Sequence, residues 1–448
     1  MTTPQTTPET TSRIPASEPH LVLISGIGGH GTDEALDSLS RITPAVSVVH
    51  IAAWGDPEPV RADWAARGLR GEFVTAADLD DAVTVGLALH DRQPLDGVVT
   101  YSELLLRPQA ALARRLGLPG NTLEAVTVAQ SKALQRRVFA EHGVPSPRFA
   151  EIREERDLAR AAREVGLPAV FKPSLGAGSL SVRLVRDYEE LLAAYEAGRA
   201  TTTAFLQRED VFLLEERMEL EADGDTGWAN YCSVESLLAA GERHHLVVSD
   251  RLALTHGYAE EGTSMPSRLD EETRAAAVEC ADRAIAAIGL TTGAVHTEIA
   301  LTPQGPRVIE VNARAGGPMP AMFNAASDYD YAEQIGRSAL GLPPVGVPHF
   351  HQAALLRMLP IPAGEWVLSA QTPKEELLAA FPELVYVAPR FTPGQQVSRA
   401  RTLHTATFLV TAPDPEAALA LAGRVERALG IALVEAGAPP APAPALAA

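Results

Sequence analysis

The stretch GAVHTEIALTPQGPRVIEVNARAGG, at positions 293–317, constrains the fold more than any other part of the sequence. Two runs rich in β-branched and other apolar residues flank a turn that contains proline and glycine, a pattern typical of a β-hairpin. Because successive side chains of a strand point to opposite faces, Glu310, Asn312 and Arg314 share one face of the second strand. The opposite face is apolar, so we expect one side of the hairpin to be buried.

On the first strand of this hairpin, His296 and Glu298 share a face in the same way. If the strands pair, the carboxylates of Glu298 and Glu310 converge with the carboxamide of Asn312. Hard oxygen ligands of this kind suit Mg²⁺ that bridges nucleotide phosphates. A bound cation would also compensate for burying the polar groups. The alternative is a solvent-facing strand with an ion pair between Arg314 and a glutamate.

Apolar runs and helical stretches alternate through the first part of the chain. LVLIS (21–25) and VSVVHIAA (46–53) are typical of buried strands, and residues 32–42 between them of a helix. A strand at 95–100 and a helix at 104–116 extend the pattern. The alternation predicts a doubly wound α/β unit.

The rest of the chain changes to a mixed pattern. Beyond Pro343, apolar segments and a final helix suggest a small α/β cap. Between these parts we predict one long helix at 121–142, a strand–glycine turn–strand unit at 168–185 and an amphipathic helix at 188–197. A single strand at 211–218, an antiparallel pair at 231–254 and a helix at 270–288 follow.

Composition excludes several classes of protein. Lys and Arg total 38 against 57 Asp and Glu, a formal net charge of -19, which argues against a nucleic-acid or membrane-surface binder. Two cysteines exclude a disulfide scaffold and a four-cysteine zinc site. We expect no membrane span, and a cytoplasmic location because no signal peptide is visible. Residues 1–18 and 437–448, of low complexity, are expected to be disordered tails.

Two glycine-rich loops are candidates for phosphate binding. Gly26–Gly31 fits G-x-G-x-x-G between a strand and a helix, but the next strand lacks the acidic residue expected of a dinucleotide site. A tight turn or substrate-facing loop is therefore favoured over a nicotinamide site. In the second loop, Lys172 precedes Ser174–Ser179, whose amides and hydroxyls would lie near phosphate oxygens. An ordinary hairpin turn with a solvated lysine is the alternative.

Taken in order, these motifs resemble an ATP-grasp ligase over nearly all of residues 20–435. The stretches VTVAQSKALQRRVFAEHGVPSPRF, PAVFKPSLGAGSLSV and LLEERM support the resemblance, and the pairing of H-T-E with E-V-N-A-R is similar to the L-amino-acid (dipeptide) ligase branch. The resemblance implies an α/β fold of the α+β ATP-grasp type. Its parts would be a doubly wound α/β domain, a linker helix with a small mobile lid, an antiparallel-sheet catalytic subdomain and a C-terminal α/β cap, at 19–120, 121–214, 215–345 and 346–436.

The resemblance also implies roles for individual residues. Two lysines would contact the nucleotide, a flexible loop would close over the triphosphate, and the backbone of a hinge would meet adenine. The residues implied to bind ATP are Lys132, Lys172, Ser174, Gly176, Gly178, Ser179, Glu215, Glu216 and Met218. The implied ligands of Mg²⁺, or of Mn²⁺ in its place, are Glu298, Glu310 and Asn312. Arg314 would steady the transferred phosphate, with His296 beside the metal ligands.

The sequence departs from the family pattern after the hinge. Tyr231 stands where an acidic residue usually meets the ribose, near an apparent insertion at 221–229, so Glu219, Glu221 or Asp223 would take that role. Arg251 stands where a lysine is common.

On the substrate side, Glu260 matches an acidic position, although a solvated loop glutamate is the alternative. Further residues expected near the substrate are Glu103, Glu235, Gly316 and Gly317. Glu260 and His296 are candidates for a general base.

The implied activity is ATP-dependent formation of an amide bond between an amino acid or short peptide and an amine. It would proceed through an acyl phosphate and release ADP and phosphate, with Arg314 and Lys172 facing the developing charge. Alternatives are a ligase or carboxylase acting on a nucleotide-biosynthesis intermediate, a non-catalytic nucleotide-binding regulator, and an NAD(P)-dependent oxidoreductase. We expect small-molecule substrates, no nucleic acid or membrane partner, and a homodimer on the family's precedent.

Overall fold

The computed structural model describes residues 18–175, 182–200, 210–220, 226–254, 259–399 and 402–436. The two predicted tails therefore lie outside the described residues, except for Glu18, which forms an ion pair with Arg70. Four residues predicted to bind ATP also lie outside them: Gly176, Gly178, Ser179 and Asp223. Within the described part of the chain, no helix is both long and apolar enough to cross a bilayer.

The N-terminal part is the predicted α/β unit. Its elements are β1 (Leu21–Ser25), α1 (Thr32–Ile42), β2 (Val46–Ile51), α2 (Glu58–Ala66), β3 (Phe73–Ala76), α3 (Leu79–Arg92), β4 (Gly97–Val99) and α4 (Leu106–Leu116). The strands form a parallel sheet in the order β3-β2-β1-β4. Every residue of β1 and β2 is buried, as expected for a sheet covered on both faces.

The glycine-rich loop between β1 and α1 is a tight turn packed against the end of β4. Gly28 and Gly29 have φ of 85° and 79°, where a side chain is disfavoured. A Cβ on Gly29 would lie 1.9 Å from the carbonyl oxygen of Tyr101. Ser102 Oγ donates to the Ile27 carbonyl at 2.6 Å. These contacts explain the glycines through close backbone packing.

The linker contains two helices, α5 (Leu123–Gln130) and α6 (Lys132–Glu141), so the prediction of one long helix was wrong. Ser131 has an extended backbone between them, and its Oγ accepts from the amide of Leu134 at 3.3 Å. A serine in this position is an effective N-cap. The break makes Lys132 the first residue of α6.

A four-stranded antiparallel sheet follows, which we call the lid sheet. Its elements are β5 (Phe149–Ile152), α7 (Leu158–Val165), β6 (Ala169–Pro173), β7 (Arg183–Val185), α8 (Tyr188–Ala200) and β8 (Phe212–Glu216), with strand order β5-β8-β6-β7. Its core includes stacked rings of Phe171 and Phe212, whose centroids are 5.2 Å apart.

The next elements begin an eight-stranded sheet, which we call the large sheet. They are β9 (Trp228–Ala239), β10 (Glu242–Leu252), β11 (Gly262–Met265), α9 (Glu271–Ile288), β12 (Gly293–Thr302), β13 (Gly305–Asn312), α10 (Met319–Ala326) and α11 (Tyr331–Ala339). The pairing of β12 with β13 confirms the predicted hairpin. Small residues of α9 pack against its apolar face in one continuous core.

The segments predicted as a cap divide between two sheets. The elements are β14 (Ala353–Pro360), β15 (Trp366–Ala370), α12 (Lys374–Ala380), β16 (Leu384–Pro389), β17 (Gln396–Val397), β18 (His404–Ala412), α13 (Pro415–Leu429) and β19 (Ala432–Glu435). Strands β14, β18 and β16 complete the large sheet, whose order is β13-β12-β9-β10-β11-β14-β18-β16. The large sheet thus continues through the predicted boundary at 345/346, and β15, β17 and β19 form a small separate sheet.

Candidate active site

A cavity of about 1030 Å³ opens between the lid sheet and the large sheet. Its floor takes side chains from six neighbouring strands of the large sheet, and its opposite wall takes them from β6 and the segment after β8. The predicted site residues that line it are Lys132, Lys172, Glu215, Glu216, Met218, Glu260, His296, Glu298, Glu310, Arg314, Gly316 and Gly317. The fold therefore gathers residues that are far apart in the sequence around one space.

On the lid side, Lys172 is paired with Glu215 on the adjacent strand. Lys172 Nζ lies 2.8 Å from Glu215 Oε2, and both side chains are buried. Burial lowers the pKa of Lys172, although Glu215 opposes this effect. Burial would raise the pKa of Glu215. The positive charges of Arg136 and Lys172 have the larger combined effect and hold the pKa of Glu215 below its usual range. The Glu215 carboxylate therefore supports the lysine.

Arg136 supports the lid side of the cavity, and the sequence analysis did not place it in the site. Arg136 is 0% exposed, and its Nε lies 2.9 Å from Glu215 Oε1. Its neighbour Arg137 is exposed and pairs with Glu151. The two neighbours point in different directions, and only Arg136 faces the interior between α6 and β8.

Lys132 approaches the cavity from the start of α6. Its Nζ lies 2.9 Å from Glu310 Oε2. Burial would lower the pKa of Lys132, but the Glu310 carboxylate raises it above its ordinary value. Its backbone amide donates to the Ser174 carbonyl at 2.9 Å, and Ser174 Oγ lies 3.0 Å from Ser131 Oγ. Ser174 itself does not line the cavity; it connects the lid strand to the linker.

The hairpin places its polar groups as the sequence analysis predicted. Glu298 is directly opposite Glu310, and His296 is directly opposite Asn312. Asn312 Nδ2 donates to Glu310 Oε1 at 3.1 Å. Burial would raise the pKa of Glu310, but Lys132 and Lys172 hold it far below its usual range.

The edge strand β13 is supported by a side chain from the linker. Gln135 accepts from the backbone amide of Val311 and donates to its carbonyl, both at 2.9 Å. One carboxamide therefore replaces a neighbouring strand at the edge of the sheet and fixes the depth at which Glu310 enters the cavity.

A second cation, Arg251 on β10, is bound to Glu298. Arg251 Nη2 donates to Glu298 Oε1 at 3.1 Å and lies 2.8 Å from His296 Nε2, and its Nη1 lies 3.3 Å from Glu260 Oε1. The guanidinium also lies 5.8 Å from the ring centroid of Tyr231. Arg251 thus joins the strand of the predicted metal ligand Glu298 to the glutamate predicted on the substrate side.

The donor set of this site fits a magnesium ion that is shared with a nucleotide. Glu298 and Glu310 supply carboxylate oxygens, and Asn312 keeps its carbonyl oxygen for a ligand while its amide donates to Glu310. Among the described residues, no three or more His, Cys, Asp or Glu side chains come together in a cluster that could hold a metal ion by itself. Mg²⁺ is commonly bound through one or two carboxylates together with substrate phosphates, so the set suffices when phosphates complete it.

Arg314 lies at the exit of the hairpin, where its Nε is 3.4 Å from Glu103 Oε2. Burial raises the pKa of Glu103, although Arg314 opposes this effect. Glu103 comes from the N-terminal α/β unit and contacts the site through Arg314, since it does not line the cavity. The ion pair that the alternative interpretation expected for Arg314 is therefore present, but at the cavity wall.

Two further predicted residues do not line the cavity. Asn312 lies beside it and contacts Glu310, whereas Glu235 is 0% exposed beneath His296 and does not reach the space where we expected it to contact substrate. The sequence analysis also missed Thr263 and Met358, which line the floor. Both lie on strands whose place in the large sheet depends on long-range pairing, so no local pattern marks them.

Comparisons with known proteins point to one family. Residues 165–320 match the ATP-grasp domain, and residues 52–120 match the ATP-grasp N-terminal domain. The L-amino acid ligase from Bacillus licheniformis superposes with a TM-score of 0.72, covering 95% of this chain and 100% of that chain at 20% identity. At that identity the superposition establishes the shared fold.

Two curated relatives are similar in sequence over part of their length. The alanine–anticapsin ligase of Bacillus subtilis (strain 168) is 32% identical over 237 residues, which are 50% of this chain and 49% of that protein. Carnosine synthase 1 of Homo sapiens is 30% identical over 246 residues, which are 50% of this chain and 28% of that protein. The chain spans about half the length of the first relative and less of the second.

Proposed function

Because the chain belongs to the ATP-grasp superfamily, we propose that it uses ATP to join the carboxylate of an amino acid or short peptide to an amine. One observation carries the proposal: a single cavity brings two lysines, one buried and one half-buried, together with two paired glutamates and an arginine. Lysines suit nucleotide phosphates, and the glutamates suit the cation that accompanies them. A pure nucleotide binder has no need of the complete set.

In this proposal, Lys132 and Lys172 bind the phosphates of ATP, and the segment from Glu216 to Leu220 borders the base and sugar. Glu215 and Arg136 keep Lys172 in place throughout, because their contacts are buried behind it. Lys132 exchanges its contact with Glu310 for a phosphate oxygen when the nucleotide enters. Positioning and electrostatic stabilisation supply most of the catalysis in phosphoryl transfer.

Glu298, Glu310 and Asn312 would hold Mg²⁺, with Mn²⁺ as a substitute. When bound, the cation neutralises phosphate charge at this end of the cavity. Arg251 remains against Glu298 and His296 and keeps the strand in register with β10.

The substrate carboxylate attacks the γ-phosphorus of ATP, which forms an acyl phosphate as the bond to ADP breaks. The amine nitrogen then attacks the acyl carbon, phosphate leaves, and the nitrogen loses a proton. Arg314 and Lys172 face the charge on the transferred group and its leaving oxygen. Both ring nitrogens of His296 are engaged by Glu235 and Arg251, and its side chain is 5% exposed. Arg251 contacts one oxygen of Glu260, whose side chain is 32% exposed, so Glu260 is the better placed base.

We infer the substrate class from the relatives, whose names state that one joins alanine to anticapsin and another makes carnosine. The first name is that of a ligase that takes an amino acid, alanine. The floor of the cavity beyond Arg251 carries Thr263 and Met358, so it offers the acyl donor a mixed rather than a strongly charged surface.

The direct test measures release of ADP and phosphate from ATP and Mg²⁺ across single and paired amino acids, with mass spectra of the products. We expect release that requires a particular pair and a product one water lighter than the sum of its parts. ADP release that is independent of any amino acid, or no release although MgATP binds, would contradict the proposal.

A further inference from the structure

Glu235 lies behind the cavity wall on β9, and its carboxylate joins two separate parts of the site. It is directly opposite His296 on β12, and its Oε1 accepts from His296 Nδ1. Its Oε2 accepts from the backbone amide of Gly316 at 3.2 Å. His296 belongs to the strand that carries Glu298, whereas Gly316 belongs to the loop after β13, which begins with Arg314.

The contact with Gly316 depends on the missing side chain of that residue. A Cβ on Gly316 would lie 2.8 Å from His296 Nδ1, 2.9 Å from Met319 Cγ and 3.0 Å from Glu235 Oε1. The loop after β13 is therefore pressed against the Glu235–His296 pair. Gly316 and Arg314 also line the cavity, so the position of this loop is part of the cavity wall.

His296 extends the connection from Glu235 to the predicted metal ligands. Its Nε2 lies 2.8 Å from Arg251 Nη2, and the same Arg251 nitrogen donates to Glu298 at 3.1 Å. The contacts run in sequence from the Gly316 amide through Glu235, His296 and Arg251 to Glu298. Each contact is within hydrogen-bond distance, so the series constrains the relative positions of the loop and the strand.

Burying the Glu235 carboxylate is energetically costly, which indicates that the residue serves through the hydrogen bonds that it accepts. A buried carboxylate is unfavourable unless its partners compensate for lost solvation. Here the hydrogen-bond partners are the His296 ring and a peptide amide. A leucine of similar volume would be less costly to bury, but it would accept no hydrogen bond from either partner.

We propose that Glu235 is a positioning residue, which sets the placement of the loop bearing Arg314 relative to the strand bearing Glu298 without touching substrate. The inference rests on the proposed ligase function, in which Arg314 faces the transferred phosphoryl group and Glu298 would hold the cation that neutralises phosphate charge. It replaces the direct substrate contact expected from the sequence.

The kinetic test compares Glu235→Gln with Asp250→Asn. A glutamine has one acceptor oxygen, so it serves Gly316 or His296 but not both. Asp250 is a matched control, since it is also buried and accepts from a hydroxyl and a backbone amide. It precedes Arg251 on β10, so its side chain points away from the cavity.

We expect Glu235→Gln to lower kcat about 10–100-fold while KM for ATP changes less than about threefold. Asp250→Asn should lower the melting temperature with kcat within about twofold of wild type. A wild-type kcat in Glu235→Gln, or an equal loss of kcat in Asp250→Asn, would overturn the inference.

A second measurement does not depend on turnover. In Glu235→Leu, hydrogen–deuterium exchange of the peptide covering residues 313–317 should accelerate about tenfold or more, with exchange of β5 unchanged. Unchanged exchange at 313–317 would show that Glu235 does not hold the loop. If wild type releases no ADP with any substrate, the proposed function fails, while the exchange result still decides whether Glu235 positions the loop.

Discussion

The charged residues on the lid side and on the hairpin side of the cavity are arranged in opposite ways. On the lid side a cation, Lys172, is held by a buried carboxylate on the next strand, and Arg136 supports that carboxylate. On the hairpin side two carboxylates, Glu310 and Glu298, are held by cations from other elements, Lys132 and Arg251. The partner of Lys172 lies within its own sheet, whereas the partner of Glu310 comes from the linker.

This difference shows which contacts a ligand can exchange. Glu215 is enclosed by Arg136 and Lys172, so its contacts have a structural role whether or not ATP is bound. The side chains of Lys132 and Glu310 are 17% and 19% exposed, against 7% and 5% for Lys172 and Glu215. Phosphate and a cation can therefore each take one member of the Lys132–Glu310 pair. Variants on the hairpin side should therefore affect activity and ligand binding, and variants behind the lid strand should affect folding.

The largest effect is expected for Glu310→Gln, which removes a carboxylate from the proposed metal site. ADP formation should fall about 10³-fold or more, because the change weakens stabilisation of the transferring charge. Rates of ADP release measure this. Asp282→Asn, which breaks an ion pair with Arg243 outside the cavity, serves as the control and should keep wild-type turnover. Substantial turnover by Glu310→Gln would contradict the metal assignment.

Glu215→Gln should act on stability instead. It leaves Arg136 and Lys172 buried with a weakened partner, and removing one member of a buried ion pair typically costs about 3–5 kcal/mol. Urea denaturation of the two proteins gives the difference in unfolding free energy. A loss below about 1 kcal/mol would place Glu215 in a more solvated setting than its burial indicates.

Lys132→Gln tests whether the lysine competes with a cation for Glu310. Without nucleotide, Mn²⁺ should bind about tenfold more tightly to the variant. The cation no longer has to displace Lys132 from Glu310, and about 1.4 kcal/mol of binding free energy corresponds to a factor of ten in affinity. Electron paramagnetic resonance titration of free Mn²⁺ measures the affinity. Weaker Mn²⁺ binding in the variant would mean that Lys132 supports the site rather than competing for it.

The smallest effect is expected for Glu151→Gln, on the exposed side of the lid sheet. Its partners Arg137 and Arg153 are 47% and 57% exposed, so these ion pairs should contribute no more than about 1 kcal/mol. Denaturation and ADP release should both stay close to wild type. A large loss of stability or of turnover would show that solvent exposure alone does not distinguish the ion pairs of Glu151 from those at the cavity.

Local patterns in the sequence predicted the α/β unit, the lid strands and the hairpin, and the structure confirms them. Glu298 and Glu310 were correctly placed together because a hairpin fixes its own register once its turn is known. The break at Ser131 was missed, since serine is tolerated inside helices as well as at their ends. The strands beyond Pro343 were assigned to a cap because their pairing with β11 depends on contacts distant in sequence.

Burial of individual polar side chains was the least predictable feature. Arg136 and Arg137 are adjacent and chemically identical, and only the packing of α6 against β8 distinguishes them. Glu235 gave the same difficulty, because a strand residue facing the site can lie beneath another side chain instead of at the surface. Both cases depend on what packs above the residue, which the sequence around it does not encode.

Transfer of oxygen from substrate to phosphate tests the proposed chemistry most directly. With the acyl donor labelled with ¹⁸O in its carboxylate, an acyl phosphate intermediate predicts that the released phosphate carries one labelled oxygen for each amide formed. Phosphate that is unlabelled, or labelled only in ¹⁸O water, would show that the carboxylate never attacks the γ-phosphorus and would contradict the assignment as a carboxylate–amine ligase.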